Sequence, residues 1–443
     1  MSEKYMHIQN KKFQFVLVIT VLILGATLIL PSFVVAKKGN AGKGISAGAA
    51  KISIIGENWP YLIHDPLYAR CVIINWEDTY VALVNLELLG ISLTDVVYPI
   101  REGVEAEYGI NSDYVLIGST HSHSAGVDVI GWTGVLTDYV KDYYKYFLID
   151  QVIDVIGLAL SDMRRASVQV GSIWVNGMTF NRRSYPEAIG PTDDELTSLR
   201  FFDKNGDTIA TLINWGVHPV LTMTGVSVFG ISADICGYAC GKLEDEYGGV
   251  GVYFTAAMGD INPAPDFMWE NKYSSPYAPD DPTQYVAAEE YGHALADYAI
   301  QALGDGKTFK NLPMKVAKVI VDYPLENPLF VYLVMVGVIQ REIIQVGENE
   351  FIVRSELSGI KMGPIEMLTV PGELFSAISL FLKEKMPKYG FLLGLTTEEL
   401  GYIIPSDEWG QDPGEVGESL SLGPQTAPIM IENLLQIIEE LED

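Results

Sequence analysis

Apolar and polar positions alternate along this chain in two periods. Short runs rich in β-branched residues predict strands at 72–75 and 80–85, joined by the turn Trp76-Glu77-Asp78-Thr79. Further strands are predicted at 114–118, 167–175, 199–202, 208–214, 251–255, 312–322, 351–360 and 363–370. Helical spacing marks 93–108, with Gly109 as its stop, and a long stretch at 139–164. It marks a segment opening at Asp234, then 283–303, 373–385 and 429–441. Alternating strands and helices predict an α/β fold: one single large mixed α/β domain, in which functional side chains gather at strand ends. The apolar run 329–339 is too short to span a bilayer and predicts a buried strand or a lipid-facing lip.

One segment does not fit a globular pattern. Residues 15–36 are nearly all apolar and carry no charge, between Lys11-Lys12 and Lys37-Lys38. At about 1.5 Å per residue such a helix crosses a bilayer core. Its end, Val34-Val35-Ala36, has the small residues of a signal-peptidase site. Residues 1–36 are therefore expected to be a signal peptide or a membrane anchor. Residues 37–50, rich in Gly, Ala and Lys, are expected to be a linker, and 51–443 the domain. The domain is expected outside the cytoplasm, secreted or anchored to the membrane.

Composition narrows the partners. The 443 residues hold 29 Lys+Arg against 57 Asp+Glu, a net charge of -28. That excess argues against a nucleic-acid partner and against electrostatic docking on anionic lipid. With 19% charged and 48% hydrophobic residues, general disorder is excluded. Three cysteines, Cys71, Cys236 and Cys240, make no disulfide framework and are read as packed in the core.

Six histidines are few enough for each position to count. His121 and His123 follow a predicted strand in Gly118-Ser119-Thr120-His121-Ser122-His123-Ser124. Side chains at i and i+2 of an extended segment share a face, yet the turn that follows this strand leaves open where each one looks. Either can be a metal ligand while the other bonds a substrate carbonyl; the alternative is a pair of loop histidines capping a strand. His218 ends another strand, in Asn214-Trp215-Gly216-Val217-His218-Pro219. Glu373 follows a Pro-Gly turn, as an oxygen ligand, a general base, or an acid at a helix N-terminus. Asp260 and Asn262 project from a further strand end, Arg182 and Arg183 offer guanidinium groups, and Asp234 reads as a helix-capping residue. No P-loop, Gly-x-Ser-x-Gly elbow or His-Glu-x-x-His motif occurs. Histidines with an acid at strand ends suit a mononuclear hydrolytic zinc site.

These same segments resemble the neutral (non-lysosomal) ceramidase family. The resemblance runs in order through Ile63-His64-Asp65-Pro66-Leu67-Tyr68-Ala69-Arg70, Ser119 to Ser124, Phe180-Asn181-Arg182 and Asn214 to Pro219. It continues through Ile231-Ser232-Ala233-Asp234, Met258-Gly259-Asp260-Ile261-Asn262-Pro263, Val370-Pro371-Gly372-Glu373 and Gly401-Tyr402-Ile403-Ile404-Pro405. The family implies a zinc-dependent amidase acting on ceramide or a related N-acyl lipid. It implies zinc (Zn2+) held by His121, His218, Glu373 and Tyr402, with His123 and Arg182 at the substrate carbonyl. Two departures are visible. Asn262 stands where the family carries a serine, and an amide is no nucleophile. The family's C-terminal immunoglobulin-like domain is expected to be missing after Asp443. The alternatives to the amidase are another zinc hydrolase on the same scaffold, or a non-catalytic surface protein that binds lipid or metal.

Overall fold

The computed structural model describes residues 44–127, 129, 140–183, 190–223, 229–268, 281–337, 339, 341–411 and 416–442. In chain order its strands begin with β1 (Ser46–Ser53), β2 (Tyr68–Trp76), β3 (Thr79–Leu86), β4 (Val115–Ser119), β5 (Arg164–Arg165) and β6 (Ser167–Trp174). Then come β7 (Thr179–Asn181), β8 (Glu195–Phe202), β9 (Thr208–Trp215), β10 (Val250–Thr255), β11 (Ile261–Pro263), β12 (Lys307–Phe309) and β13 (Met314–Pro324). The last are β14 (Ile344–Gly347), β15 (Glu350–Met362), β16 (Ile365–Val370), β17 (Glu373–Leu374), β18 (Tyr389–Gly394) and β19 (Tyr402–Ile403). The main helices are α1 (Tyr98–Tyr108), α2 (Lys145–Ser161), α3 (Asp234–Tyr247), α4 (Pro265–Met268) and α5 (Thr283–Gly304). They continue with α6 (Pro328–Met335), α7 (Ser376–Lys383), α8 (Val416–Ser419) and α9 (Thr426–Glu442).

The mixed α/β architecture follows the predicted alternation. Three five-stranded sheets form, and each contains one parallel pair: β3 with β4, β9 with β10, and β16 with β18. The rest of their pairings are antiparallel. Apolar side chains of β1, β2, β3, β6, β9, β10, β16 and β18 pack into one shared core that includes Val72, Val168, Leu212, Phe254, Met367 and Phe391. The sheets are also stitched directly. Ser119 N donates to Leu395 O, Thr397 N donates to Ile117 O, and Asn214 exchanges hydrogen bonds with the backbone of Leu392. These contacts bring the C-terminal ends of the three parallel pairs together, where such folds collect their chemistry.

Several predicted elements change. Residues 46–50, expected in the linker, belong to β1, which pairs along its length with β2. Small residues suit that strand: a Cβ on Gly48 would stand 2.2 Å from Ala159 O of α2. The predicted helix at 373–385 begins only at Ser376, so Glu373 is a strand residue and the macrodipole does not account for it. The run 329–339 is not a buried strand. Asn327 Oδ1 accepts from Leu329 N and Phe330 N and starts α6, where Tyr332 and Met335 are 60% and 65% exposed. The three cysteines are buried. No helix among the described residues is long and apolar enough to cross a membrane. Residues 1–36, read as signal or anchor, lie outside the described residues.

Candidate metal and catalytic site

Each parallel pair contributes to one cluster. His121 follows β4, His218 follows β9, and Glu373 follows β16. His121 has φ +67°, a left-handed conformation that costs a non-glycine residue about 1–2 kcal/mol. The reversal lies beyond the end of β4 at Ser119, and both His121 and His123 approach His218. Their ring centroids lie 4.8 Å apart, and 5.1 and 5.8 Å from that of His218. Burial separates the pair: His121 is 4% exposed, whereas His123 lies open to solvent.

The two buried imidazoles are oriented by backbone. His121 Nδ1 meets Leu89 O at 2.7 Å, and His218 Nδ1 meets Met258 O at 2.6 Å. A carbonyl accepts only from an N–H, so both rings carry the proton on Nδ1 and offer the lone pair of Nε2. Both Nε2 atoms face one carboxylate oxygen, Glu373 Oε2, at 3.7 and 2.9 Å. Burial pushes His121 down to about 3 against the attraction of Glu373, and holds His218 well below the usual histidine range. Burial likewise raises Glu373, opposed by His121, Arg182 and a hydrogen bond with Tyr402.

Tyr402 enters through strand pairing. β17 and β19 are parallel, with Glu373 directly opposite Tyr402. Burial raises its phenol, and the neighbouring Glu373 raises it further. Arg182 opposes this: Nη2 donates to Tyr402 Oη at 2.7 Å and to Gly259 O at 2.9 Å. Arg183 turns elsewhere, pairing with Glu408 and lying over the Phe375 ring.

This donor set fits a divalent cation. Among the described residues, His218 Nε2 and Glu373 Oε2 are buried with no hydrogen bond. An unsatisfied buried polar atom costs about 1–3 kcal/mol, which a shared cation removes. Neutral imidazoles with backbone-anchored Nδ1, a carboxylate and a phenol oxygen are the ligand chemistry of zinc. The ligand atoms of His121, His123 and His218 lie within 4.8 Å of one another, as do those of His121, Glu373 and Glu399.

Neighbouring polar residues hold the cluster in shape. Asp260 Oδ1 accepts from Ser376 N and Oγ, and Oδ2 accepts from Asn181 Nδ2, tying β7 to the start of α7. Asp234 accepts from Thr222 N, Thr222 Oγ1 and Ile235 N, and Thr222 Oγ1 bonds Ser124 Oγ beside His123. Asn262, 7% exposed, sits on β11 opposite Phe180. His64 stacks on Tyr285 at 3.8 Å, and His293 packs edge-on against Tyr238. The residue patterns alone pass over Asn214, Glu399 and Tyr402. Only the family resemblance points to Tyr402, and a polar pair after the unpredicted strand β18 is the one local signal for Glu399.

Asp260 carries a pH signature. Burial pushes its carboxyl up to about 6, against an ordinary 3.8. Between those values the folded chain holds a proton that the unfolded chain has released, so this group favours folding more as pH falls through 6. From pH 7 to pH 4.5, wild type should gain about 2 kcal/mol relative to Asp260→Asn. Urea unfolding of both at the two pH values measures this. A constant difference would show that the carboxyl titrates normally.

The architecture defines a class: a mixed α/β scaffold with a histidine-carboxylate cluster where three parallel strand pairs end. No protein-family model matches the chain. Its fold is that of neutral ceramidase. The crystal structure of neutral ceramidase from Pseudomonas aeruginosa matches with a TM-score of 0.71 at 15% identity, over 90% of this chain and 74% of that one. A ceramidase complexed with C2 matches with a TM-score of 0.70 at 15% identity, over 90% and 76%.

Proposed function

We propose that this chain is a zinc-dependent amidase that hydrolyses the N-acyl amide bond of ceramide or a related N-acyl lipid. The observation that carries this reading is the convergence of His121 Nε2 and His218 Nε2 on Glu373 Oε2, with Tyr402 beside them, on a ceramidase fold. His121, His218, Glu373 and Tyr402 would hold the ion. A zinc ion bound there supplies Lewis acidity and brings the pKa of water toward neutrality.

The chain's own residues supply the rest. Leu89 O and Met258 O keep the imidazoles in the tautomer that can ligate. Arg182 holds Tyr402 Oη and favours its ionised form. His123, open to solvent, has ring N–H chemistry to offer the substrate carbonyl, where negative charge develops. Asn262 can donate a hydrogen bond but cannot form an acyl intermediate, so water is the nucleophile.

An apolar lip supports an amphiphilic substrate. Leu62 and Ile63 are 63% and 49% exposed, and their loop bonds to Ile231, whose neighbour Ser232 bonds Ser124 O next to His123. The apolar run 15–36 supports an exported protein, secreted or membrane-anchored; the N-terminal residue of the protein recovered from cells distinguishes the two.

The test is a panel of N-acyl amines, ceramides and matched esters, with the protein zinc-loaded and then chelated. Amide cleavage that disappears on chelation is expected. Cleavage of esters alone would favour another zinc hydrolase on the same scaffold, whereas Asn262 in place of a serine supports the non-catalytic reading. No turnover by zinc-loaded protein would leave a binding protein.

A further inference from the structure

The loop that carries His123 is fastened from behind. His123 is exposed, yet Ser122 and Ser124 on either side of it are fully buried. Ser122 Oγ donates to Ser232 O at 2.8 Å, Ser232 N donates to Ser124 O at 3.0 Å, and His123 N donates to Pro219 O at 3.3 Å. A chain of polar groups continues from Ser124. Its Oγ lies 2.6 Å from Thr222 Oγ1, which donates to Asp234 Oδ2 at 2.8 Å. Thr222 N donates to the same oxygen at 2.9 Å, and Ile235 N donates to Oδ1 at 2.7 Å. Burial pushes the Asp234 carboxyl up to about 6, so at neutral pH it is a carboxylate and only accepts. A hydroxyl has one hydrogen, and that of Thr222 goes to Asp234. Ser124 therefore donates to Thr222, and the chain runs in one direction, from Ser124 through Thr222 to Asp234. Ser124, Thr222 and Asp234 are all buried, so water does not compete for these bonds. The segments it joins hold left-handed backbone at non-glycine residues, with φ +67° at His121 and +53° at Asp234. Such conformations persist only where the surroundings over-determine them.

We propose that Asp234 is a positioning residue for the reaction: through Thr222 and Ser124 it fixes the loop that presents His123 to the substrate carbonyl. A carboxylate acceptor makes stronger hydrogen bonds than a neutral one, which suits an anchor for an exposed imidazole. The bonds of the chain involve none of the atoms assigned to the metal. Losing them should therefore misplace His123 while the ion stays bound. This role rests on the amidase reading above.

The test compares Thr222→Val, Thr222→Ser and Ser124→Ala with wild type in the full chain. Thr222→Val keeps the shape and the backbone bond to Asp234 but removes the middle hydroxyl. Its kcat should fall about 10- to 100-fold, the scale of a misplacement of about 1 Å, with KM and zinc per chain unchanged. Thr222→Ser restores the hydroxyl and should recover most of the rate. Ser124→Ala removes the first hydroxyl and leaves Thr222 bonded to Asp234; it should lose rate as Thr222→Val does, and it decides the matter if Thr222→Val does not fold. In the metal-free protein, the NMR signals of the His123 ring should shift in Thr222→Val and Ser124→Ala and return in Thr222→Ser. Wild-type kcat in Ser124→Ala overturns the proposal. So does a loss in Thr222→Ser as large as in Thr222→Val, which would assign the effect to packing. Zinc lost in step with kcat overturns it too, because the chain would then support the ion and not His123. If zinc-loaded wild type turns over no substrate, the amidase reading itself fails, and unmoved His123 ring signals would separately overturn the anchoring.

Discussion

His218→Ala should remove the metal from this protein and stop amide hydrolysis together. Binding energies of about 10–16 kcal/mol for four-ligand structural zinc sites imply about 3–4 kcal/mol per ligand, or an affinity loss of about 100- to 1000-fold. His218 is 1% exposed and its Nε2 lies 2.9 Å from Glu373 Oε2. Alanine leaves that oxygen buried with one neighbour fewer and removes a buried imidazole donor from the cluster. His121→Ala should behave alike, because its Nε2 faces the same oxygen. His293→Ala is the control, since that ring packs on Tyr238 away from the cluster. The measurement is zinc per chain by elemental analysis, paired with turnover of an N-acyl substrate. Zinc content unchanged in His218→Ala, with the protein folded, would sink the ligand assignment.

The second large effect comes from backbone. Gly401 has φ +88°, and a Cβ there would stand 1.9 Å from Leu420 O. The left-handed conformation alone costs an alanine about 1–2 kcal/mol. The clash adds to it, because the obstacle is a main-chain carbonyl that also accepts from Tyr402 N at 3.0 Å. Relief requires moving 401–403 away from 420. That breaks the register in which Glu373 faces Tyr402. Gly401→Ala should therefore lose about 3 kcal/mol or more of stability. Whatever fraction still folds should bind metal poorly. Urea titration and zinc content read the two effects. Wild-type stability with a full complement of zinc would show that the segment has slack that the geometry denies.

The pattern of the chain reveals most long elements because each buries one face or both, and burial leaves a period in the sequence. The hairpin of β2 and β3, the left-handed Gly109 after α1, and the long helices α2, α5 and α9 are all legible in this way. Elements of two or three residues are not. β7, β11, β17 and β19 are too short to show any period, yet they carry Asn181, Asn262, Glu373 and Tyr402. α6 misleads for the opposite reason: its apolar run has the composition of a core strand, while Asn327 caps it into a helix with much of its surface exposed.

The sequence by itself determined the mixed α/β class and the delivery of His121, His218 and Glu373 at strand ends. Local hydrophobic spacing followed by glycine or proline is enough for that. It also narrowed the chemistry, because few residue types bind metals and this chain has few histidines. Only the tertiary structure decided the side of each ring that faces the cluster, through Leu89 O and Met258 O. It separated Arg182 from Arg183, separated buried His121 from exposed His123, and set Tyr402 opposite Glu373. Glu399 joined the cluster by the same route. Each of these depends on a hydrogen bond or strand register between distant parts of the chain. Contacts of that kind leave no periodic trace near the residues they position.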